Sequence, residues 1–212
     1  MHATTKKYQK IYFVGWLLPL VFLVFANPTL AQQRVRGVKP ASGELREGQK
    51  EGIWTYYYAD GSVSAIENFE QGRLHGEVRY FYPGGILQGQ EQWSEGYLND
   101  SARYFHPNGR LERKGVFLKG QYEGSWLYYY ENGFVERTLT YQNGLPEGPV
   151  RAYHPTGALW QTGWYHEGKE SGEWNFYDER GELQYTGSYH EGEPVGTWYE
   201  FVKGKKKIYK RY

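Results

Sequence analysis

A glycine-centred pattern repeats along the chain at a fixed interval of 24 residues, without an insertion or a deletion. Its first glycine recurs at Gly48, Gly72, Gly96, Gly120, Gly144, Gly168 and Gly192. The best-developed copy of the pattern runs from Gly168 to Glu191. Self-similarity at a short fixed period is typical of repeat proteins, in which one unit cannot bury its apolar face alone and stacks on its neighbours.

Three aromatic positions recur between the glycines of each unit. The first holds Trp54, Val78, Ala102, Trp126, Val150, Trp174 and Trp198 in successive copies. The second holds Tyr57, Phe81, Phe105, Tyr129, Tyr153, Tyr177 and Phe201, and the third holds Phe69, Trp93, Phe117, Tyr141, Tyr165 and Tyr189. These rings are the predicted core.

Turn-forming residues divide each unit into two strands. Residues 106–109 and 154–157 place proline second and glycine fourth, which suits a type I turn closed by a left-handed glycine in a three-residue hairpin loop. The other junction, as at residues 190–192, ends a strand at glycine and is expected to have the same three-residue form. Because loops this short cannot connect parallel strands, we predict an all-β fold. It is an elongated, open antiparallel β-meander of 24-residue β-hairpin repeats, a single-layer twisted sheet.

The sequence leaves open which face of this sheet is buried, because side chains alternate along a strand and the aromatic positions differ in parity. Trp174 and Phe176 point to one face, whereas Tyr177 and Tyr189 are expected on the other. Either both faces carry aromatic ladders, or a glycine bulge near Gly172 brings Trp174 to the face of Tyr189. An aromatic ring is also expected to lie across a glycine of the neighbouring strand, which stabilises such strands.

The first 31 residues resemble a targeting segment, with three lysines before residue 11, an apolar run over residues 11–26 and small residues up to Ala31. The pattern predicts a secretory signal peptide, with the mature chain beginning at Gln32. A retained membrane anchor is the alternative, although 16 apolar residues interrupted by Pro19 fall short of the ~20 that a span requires.

The rest of the chain divides into three parts. Residues 32–42 are a linker, residues 43–202 contain about six full repeats with half-repeats at both ends, and residues 203–212 are a basic tail or a final edge strand. The array begins in mid-repeat, because the segment Gly43–Gly48 aligns with Gly187–Gly192.

Composition excludes several classes of protein. The chain has no cysteine, which excludes a disulfide framework and a lipid-modified cysteine at the cleavage site. Loss of the targeting segment removes three lysines and no acidic residue, so 22 basic and 24 acidic side chains remain, a net charge of −2. A nucleic-acid partner has no electrostatic support.

The repeat resembles a known family. The segments Tyr122–Trp126 and Gly172–Trp174, followed by aromatic residues and then by a glycine two positions before a leucine, are similar to the MORN repeat. The resemblance covers Gly43 to about Val202 and is nearest to the bacterial variant of exported proteins, often labelled an antitoxin component. It implies an open β-meander of hairpins and a role in binding or scaffolding. The 24-residue period and the three-residue turns depart from the eukaryotic repeat, so the lipid association proposed for that repeat does not transfer directly.

The histidines do not have the spacing of a metal or catalytic site. His106 and His154 share one repeat position, and His166 and His190 share another. Equivalent positions in adjacent repeats are about 9.6 Å apart, whereas zinc requires ligand atoms about 2.0 Å from one centre. The acidic residues fall on turns and solvent positions, and no nucleophile elbow or phosphate-binding loop is present. We therefore predict no catalytic residue, no metal and no cofactor.

Two tyrosine triplets, residues 56–58 and 128–130, supply the candidate binding surface. At least one ring of each triplet is expected to face outward, and we name Tyr56, Tyr58, Tyr128 and Tyr130. Exposed tyrosines suit the binding of a protein or a glycan, since they are large, rigid and amphipathic. The other interpretation is that these rings only cover a single-layer sheet.

The last ten residues contain the candidate contacts to an anionic surface, Lys205, Lys206, Lys207, Lys210 and Arg211. Clustered basic residues bind anionic membranes. Lysines on an edge strand also block edge-to-edge association, and we favour this second role.

The sequence therefore predicts an exported, non-enzymatic repeat protein that acts as a protein-binding or scaffolding module through its β-ribbon surface. The expected partner is another protein or a cell-surface polymer, with possible peripheral membrane contact. The alternative is an envelope-associated protein that binds anionic lipid or polysaccharide through its tail, and an antitoxin-like component or an enzyme comes third. The expected location is the periplasm, the outer surface or the medium, unless an uncleaved N-terminal segment anchors the chain.

Overall fold

The computed structural model describes residues 39–212, and the predicted signal peptide at residues 1–31 lies outside them. Seventeen strands make up the regular structure of this part. They are β1 Ser42–Arg46, β2 Gln49–Tyr57, β3 Val63–Glu70, β4 Arg73–Leu74, β5 Gly76–Phe81, β6 Leu87–Ser94, β7 Tyr97–Phe105, β8 Leu111–Leu118, β9 Gln121–Tyr129, β10 Val135–Gln142, β11 Leu145–Pro146, β12 Gly148–Tyr153, β13 Leu159–His166, β14 Lys169–Tyr177, β15 Leu183–His190, β16 Glu193–Val202 and β17 Lys205–Arg211. Over the described range there is no helix of a length and apolarity that would cross a membrane.

The strands form one open antiparallel sheet in chain order, which confirms the predicted meander. Apart from the short strands β4 and β11, each strand pairs with the next along the chain, as β13 does with β14 and β14 with β15. One residue separates the short strand β4 from β5, and both strands pair with β3. In the same way, one residue separates β11 from β12, and both pair with β10. Among the described strands, β1 and β17 form the two edges of the sheet.

The two loops of each repeat differ in kind. At the long loop, the N–H of Asp178 donates to the carbonyl of Glu182 at 3.0 Å and Gly181 takes a φ of +79°, as the three-residue prediction requires. The prediction is wrong for the short loop. His190 pairs directly with Glu193, and both intervening residues are left-handed, Glu191 with φ +54° and Gly192 with φ +84°. This is a two-residue loop with the geometry of a type I′ turn, which matches the twist of the adjoining strands.

A one-residue bulge beside the long loop decides which face is buried. Tyr177 pairs with Leu183, but Phe176 pairs with Tyr185, so β15 has one extra residue. A single extra residue reverses the face of everything beyond it. Trp174 and Tyr189 therefore share a face, with ring centroids 5.8 Å apart. The two rings share a face, as the second alternative predicted, but the cause is the extra residue of β15 and not a glycine bulge near Gly172. Gly172 is left-handed, with φ +67°, at a separate register shift between β13 and β14.

The core lies on this one face, which we call the aromatic face. Its central row is between 0 and 2% exposed and comprises Val78, Ala102, Trp126, Val150, Trp174 and Trp198. Neighbouring rings cover the indoles: Trp126 has its centroid 5.0 Å from that of Phe117 and 4.4 Å from that of Tyr122. The expected contact of aromatic rings with glycines of the neighbouring strand is also present, as for Trp174 on Gly163. A single sheet thus buries a core under its own side chains.

Candidate binding surface

A row of side chains crosses the aromatic face beside its central row, and we call it the tyrosine row. Strand pairing places Tyr56, Ala65, Tyr80, Gly89, Tyr104, Arg113, Tyr128 and Arg137 in this order. Tyrosine occupies every second strand, and the residue between two tyrosines changes along the row. That residue determines what covers each ring.

Basic side chains lie over three of these tyrosines. The guanidinium carbon of Arg113 is 4.3 Å from the ring centroid of Tyr104, and that of Arg137 is 4.4 Å from that of Tyr128. Lys50 Nζ lies 2.5 Å from the hydroxyl of Tyr56. These are cation–π or hydrogen-bonded contacts, which are strongest where water is excluded. The chain therefore covers much of its own tyrosine row with positive charge.

Two carboxylates stand beside the same row. Glu91 is 7% exposed. Its Oε1 accepts a hydrogen bond from the Tyr104 hydroxyl at 2.6 Å, and its Oε2 accepts one from Trp93 Nε1 at 2.9 Å. Glu67 is half-buried and interacts with the Tyr56 hydroxyl. Burial first, and then the charge of Glu91, raises the pKa of Tyr104, so this hydroxyl remains a donor over the physiological range.

The four tyrosines proposed from the sequence lie deeper than expected. Tyr128 is only 9% exposed, and its hydroxyl lies 3.0 Å from that of Tyr141, so the expectation of an outward ring fails for it. Tyr56 is half-buried. The hydroxyls of Tyr58 and Tyr130 donate to the carbonyls of Phe81 and Tyr153, at 2.6 and 2.7 Å. Whether these rings bind a partner stays a prediction.

The contacts of Tyr58 and Tyr130 belong to a series that joins successive repeats at the long-loop edge, which we call the edge staple. In the same repeat position, His106 Nε2 is 2.8 Å from the carbonyl of Tyr129, and His154 Nε2 is 3.1 Å from that of Tyr177. Each side chain bonds to the residue 23 positions later. Histidine replaces tyrosine here because either ring can present a donor at that distance.

The opposite face, which we call the polar face, carries charged and amide side chains. Its middle row runs through Arg79, Gln90, Arg103 and Lys114 on four successive paired strands, and the three basic side chains are exposed. A shallow depression of about 100 Å³ on this face is lined by Gln90, Gln92, Ser101 and Arg103. Such a surface offers hydrogen-bond donors and acceptors across several strands without a deep pocket.

The basic residues of the C-terminus lie on β17, the last strand of the sheet. All seven residues from Lys205 to Arg211 are exposed. Lys206 Nζ is 3.9 Å from the centroid of the Tyr199 ring. Among the described strands, β17 pairs only with β16, so its outer edge is not paired with another described strand and is flanked by lysines.

Groups of metal-ligating residues are not found within residues 39–212. His75 Nδ1 forms a contact of 3.2 Å with Glu70 Oε2 at the short-loop edge, beside a depression of about 260 Å³ lined by Glu70, Gln71, Arg73, His75 and Glu95. His166 contacts Glu147 in a similar way, at 3.2 Å. These histidines form ion pairs and bonds between strands.

Sequence reasoning missed Glu67 and Glu91. A signal was available, because both occupy the repeat position that holds glycine in four other copies, Gly43, Gly115, Gly163 and Gly187. In the same two units, the tryptophan position 11 residues later holds Val78 and Ala102. The two positions change together, which distinguishes these two repeats from the four that have a glycine and a tryptophan.

Comparison with known proteins places the repeats in a family. The model described as MORN repeat variant matches residues 50–71, 74–95, 122–143 and 170–191. No curated protein matches the chain.

Solved structures resemble the chain only weakly. A crystal structure of S. aureus TarM is 18% identical, with a TM-score of 0.32, over 51% of this chain and 21% of TarM. The GtfA/B complex is 12% identical, with a TM-score of 0.26, over 57% of this chain and 22% of that one. A porin-like protein from Bacteroides uniformis is 9% identical, with a TM-score of 0.21, over 74% of this chain and 86% of that one. The chain spans about a fifth of the length of the first two.

Proposed function

This chain is a MORN-repeat protein, and from that premise we propose that it acts outside the cytoplasm as a non-enzymatic module that binds a partner protein on the surface of its β-sheet. Repeat proteins of this kind use extended surfaces for recognition. The proposal assigns no reaction to the chain, and it names no cofactor.

The observation that supports the proposal is the one-sided core. Trp126 and Trp174 are 0 and 2% exposed under side chains of their own face, so the side chains of the polar face do not cover this core. Trp164 is 48% exposed on that face, and Arg79, Arg103 and Lys114 are exposed beside one another. Arginine and tryptophan are the residue types enriched at protein interfaces.

The binding function is tested by a cross-linked pull-down from the envelope fraction with three baits. They are the wild-type chain, the polar-face variant Arg79→Ala/Arg103→Ala, and the control Arg180→Ala. Arg180 is a loop residue that pairs with Asp178 at 3.1 Å. A partner retained by wild type and control but lost with the polar-face variant is the expected result. Equal recovery with all three baits would remove the polar face from the proposal.

Export is a separate part of the proposal and rests on residues 1–31. N-terminal sequencing or intact mass of the protein from its native host should give a chain beginning at Gln32. Recovery of the full-length chain in the membrane pellet would instead favour an uncleaved anchor.

A second candidate function is binding of anionic lipid or polysaccharide through the tail. The observation in its favour is that every residue of β17 is exposed and five of the seven are basic. Each basic residue near an anionic surface contributes about 1 kcal/mol to binding. Replacement of Lys205, Lys206 and Lys207 by threonine separates this function from a role of β17 as a guarded edge.

A further inference from the structure

The tyrosine row lacks a covering cation at Tyr80. Arg113 lies over Tyr104, and Arg137 lies over Tyr128, each from the strand that follows the tyrosine. The equivalent residue after Tyr80 is Gly89, 24 positions before Arg113. Among the described residues, none places a positive charge over the Tyr80 ring. At Tyr56 the residue of the following strand is Ala65, and Lys50 of the tyrosine's own strand supplies the cation instead. Among the four tyrosines of the row, Tyr80 is thus the one with no cation from the described residues over its ring.

The two carboxylates of the aromatic face flank this position. Glu67 lies on β3 and Glu91 on β6, and β5, which carries Tyr80, lies between these strands. Glu91 is 7% exposed, and its recorded hydrogen-bond partners within residues 39–212 are neutral groups: the side chains of Tyr104 and Trp93 and the hydroxyl of Tyr80. Within residues 39–212, neither carboxylate forms an ion pair. A carboxylate withdrawn from water is stabilised by an added cation.

These carboxylates stand where other repeats place a tryptophan ring. In four units an indole covers the glycine 11 residues before it, as Trp126 covers Gly115. In the units of Glu67 and Glu91 the glycine is a glutamate and the tryptophan is Val78 or Ala102. Both changes remove apolar burial and introduce negative charge into the core face. A departure from the packing rule of the fold is expected where a site requires it.

We infer that Tyr80, Glu67 and Glu91 form the docking point for an arginine or lysine side chain of the partner protein. The inference rests on the proposed function and names the chemistry of the partner. The partner's cation takes the place over Tyr80 that Arg113 takes over Tyr104. The two carboxylates supply the charge that opposes it.

Arginine fits this position better than lysine. A planar guanidinium stacks on an aromatic ring and donates to two carboxylates at once, whereas an ammonium acts as a point charge. Tyr80 is half-buried, so the residues of the chain do not cover it completely. Burial, followed by the charges of Glu91 and Glu67, raises the pKa of the Tyr80 hydroxyl, which keeps the hydroxyl neutral beside the incoming cation.

Calorimetric titration with hexa-arginine, hexa-lysine and hexa-citrulline peptides tests the inference on the mature chain. Citrulline has the shape of arginine without its charge. We expect hexa-arginine to bind at least as tightly as hexa-lysine, and hexa-citrulline to bind at least tenfold more weakly. Glu67→Gln/Glu91→Gln should weaken hexa-arginine binding at least tenfold. The amide oxygen of glutamine can accept from Trp93 Nε1 and its NH2 group can donate to the Tyr104 hydroxyl, so the fold should persist.

Two matched controls separate the site from general charge attraction. Glu77→Gln/Glu173→Gln removes the same charge from exposed positions of the polar face and should leave binding within about twofold of wild type. Gly89→Arg supplies the missing cation within the chain and should block the peptide, whereas Ser101→Arg, which adds the same charge to the polar face, should not. The φ of Gly89 lies outside the left-handed region, so arginine can be accommodated by a small shift of the rings of Tyr104 and Tyr80, 3.2 and 3.4 Å from a Cβ.

Three results would overturn the inference: no binding of hexa-arginine by folded wild type, equal loss in the two double variants, or equal binding of hexa-citrulline. Failure here is distinguishable from failure of the proposed function. A partner protein that binds Glu67→Gln/Glu91→Gln and wild type equally well would leave the binding function in place and remove only this docking point.

Discussion

Trp174 lies across Gly163 of the neighbouring strand so closely that a Cβ atom built on the glycine would come within 2.2 Å of the indole ring. The same relationship joins Trp54 with Gly43, Trp126 with Gly115 and Trp198 with Gly187. In one repeat, Val150 takes the place of the tryptophan, and Leu139 takes the place of the glycine 11 positions earlier. The two positions thus share one volume between them, and the size of one residue limits the size of the other.

This relationship predicts that substitutions at the two positions compensate each other. Gly163→Leu should destabilise the chain by about 1–3 kcal/mol through overpacking, and Trp174→Val should cost about 3 kcal/mol through lost burial and a cavity. The double variant recreates the Leu139 and Val150 pair, and should regain at least about 1 kcal/mol relative to the sum of the single effects. Urea denaturation of the four proteins measures this coupling.

The matched control is Trp164→Val, which changes a tryptophan that is 48% exposed on the polar face. Its effect should stay within about 0.5 kcal/mol. If the two single effects simply add in the double variant, the shared volume is not what fixes these residue types.

The architecture could be predicted from the sequence because the period and the turn residues act locally. Proline and glycine around Gly157 specify a hairpin, and a 24-residue repeat then specifies a meander. The buried face could not be predicted. The bulge opposite Phe176 carries no glycine or proline to mark it. The short loop places Glu191 at φ +54°, and Asn143 is the one residue at this loop position that forms the asparagine–glycine pair typical of a type I′ turn.

The site was predicted less well than the fold. Exposure of the tyrosine triplets was inferred from alternation alone, whereas Tyr128 is covered by Arg137 and bonded to Tyr141. These contacts arise between repeats and depend on the register. The covariation of Glu91 with Ala102 was visible in the sequence, but its meaning required knowledge that the two positions face each other.

The edge staple predicts which replacements of its residues the chain tolerates. Tyr130→Phe removes the hydroxyl that donates to the carbonyl of Tyr153 at 2.7 Å and should cost about 0.5–1.5 kcal/mol. His106→Tyr should change stability by no more than about 0.5 kcal/mol, since tyrosine fills the position in other repeats. His106→Leu, which removes the donor, is the contrasting variant. If His106→Leu and His106→Tyr have the same stability in denaturant melts, the contact of residue 106 does not join the repeats.

The contact of His166 with Glu147 predicts a pH-dependent contribution to stability. The hydrogen bond and charge of Glu147 raise the pKa of His166 above 6.5. The backbone N–H of Glu167, followed by His166, lowers the pKa of Glu147 below 4.5. The histidine contribution is therefore complete below about pH 6.5 and is lost as the pH rises through the raised value. The glutamate contribution is present above about pH 4.5 and is lost as the pH falls through the lowered value.

Both contributions are thus present between about pH 4.5 and 6.5. The urea midpoint of His166→Gln should fall below that of wild type at pH 5.5, and the difference should shrink at pH 8.5. His190→Gln, in the same position of the next repeat, provides the control and should show a smaller difference at pH 5.5. A gap between His166→Gln and wild type that widens at pH 8.5 would contradict the assignment.

The lysines of β17 are predicted to guard the edge of the sheet. Replacement of Lys205, Lys206 and Lys207 by threonine retains a strand-forming residue and removes the charges beside the backbone donors and acceptors of the outer edge. Self-association of the triple variant should rise in sedimentation experiments. Binding to anionic vesicles, measured by co-flotation, should stay unchanged. The control Arg79→Thr/Arg103→Thr/Lys114→Thr removes the same charge from the polar face and should leave self-association at the wild-type level, because no strand edge is uncovered.

Opposite results would support the tail as a membrane contact. In that case the triple variant loses vesicle binding and does not associate, since each basic residue near the surface contributes about 1 kcal/mol. A salt series then identifies the contact. At about 1 M salt the screening length is about 3 Å, so vesicle binding that survives there comes from groups other than Lys205, Lys206 and Lys207, and the half-buried tyrosines of the aromatic face become the next residues to substitute.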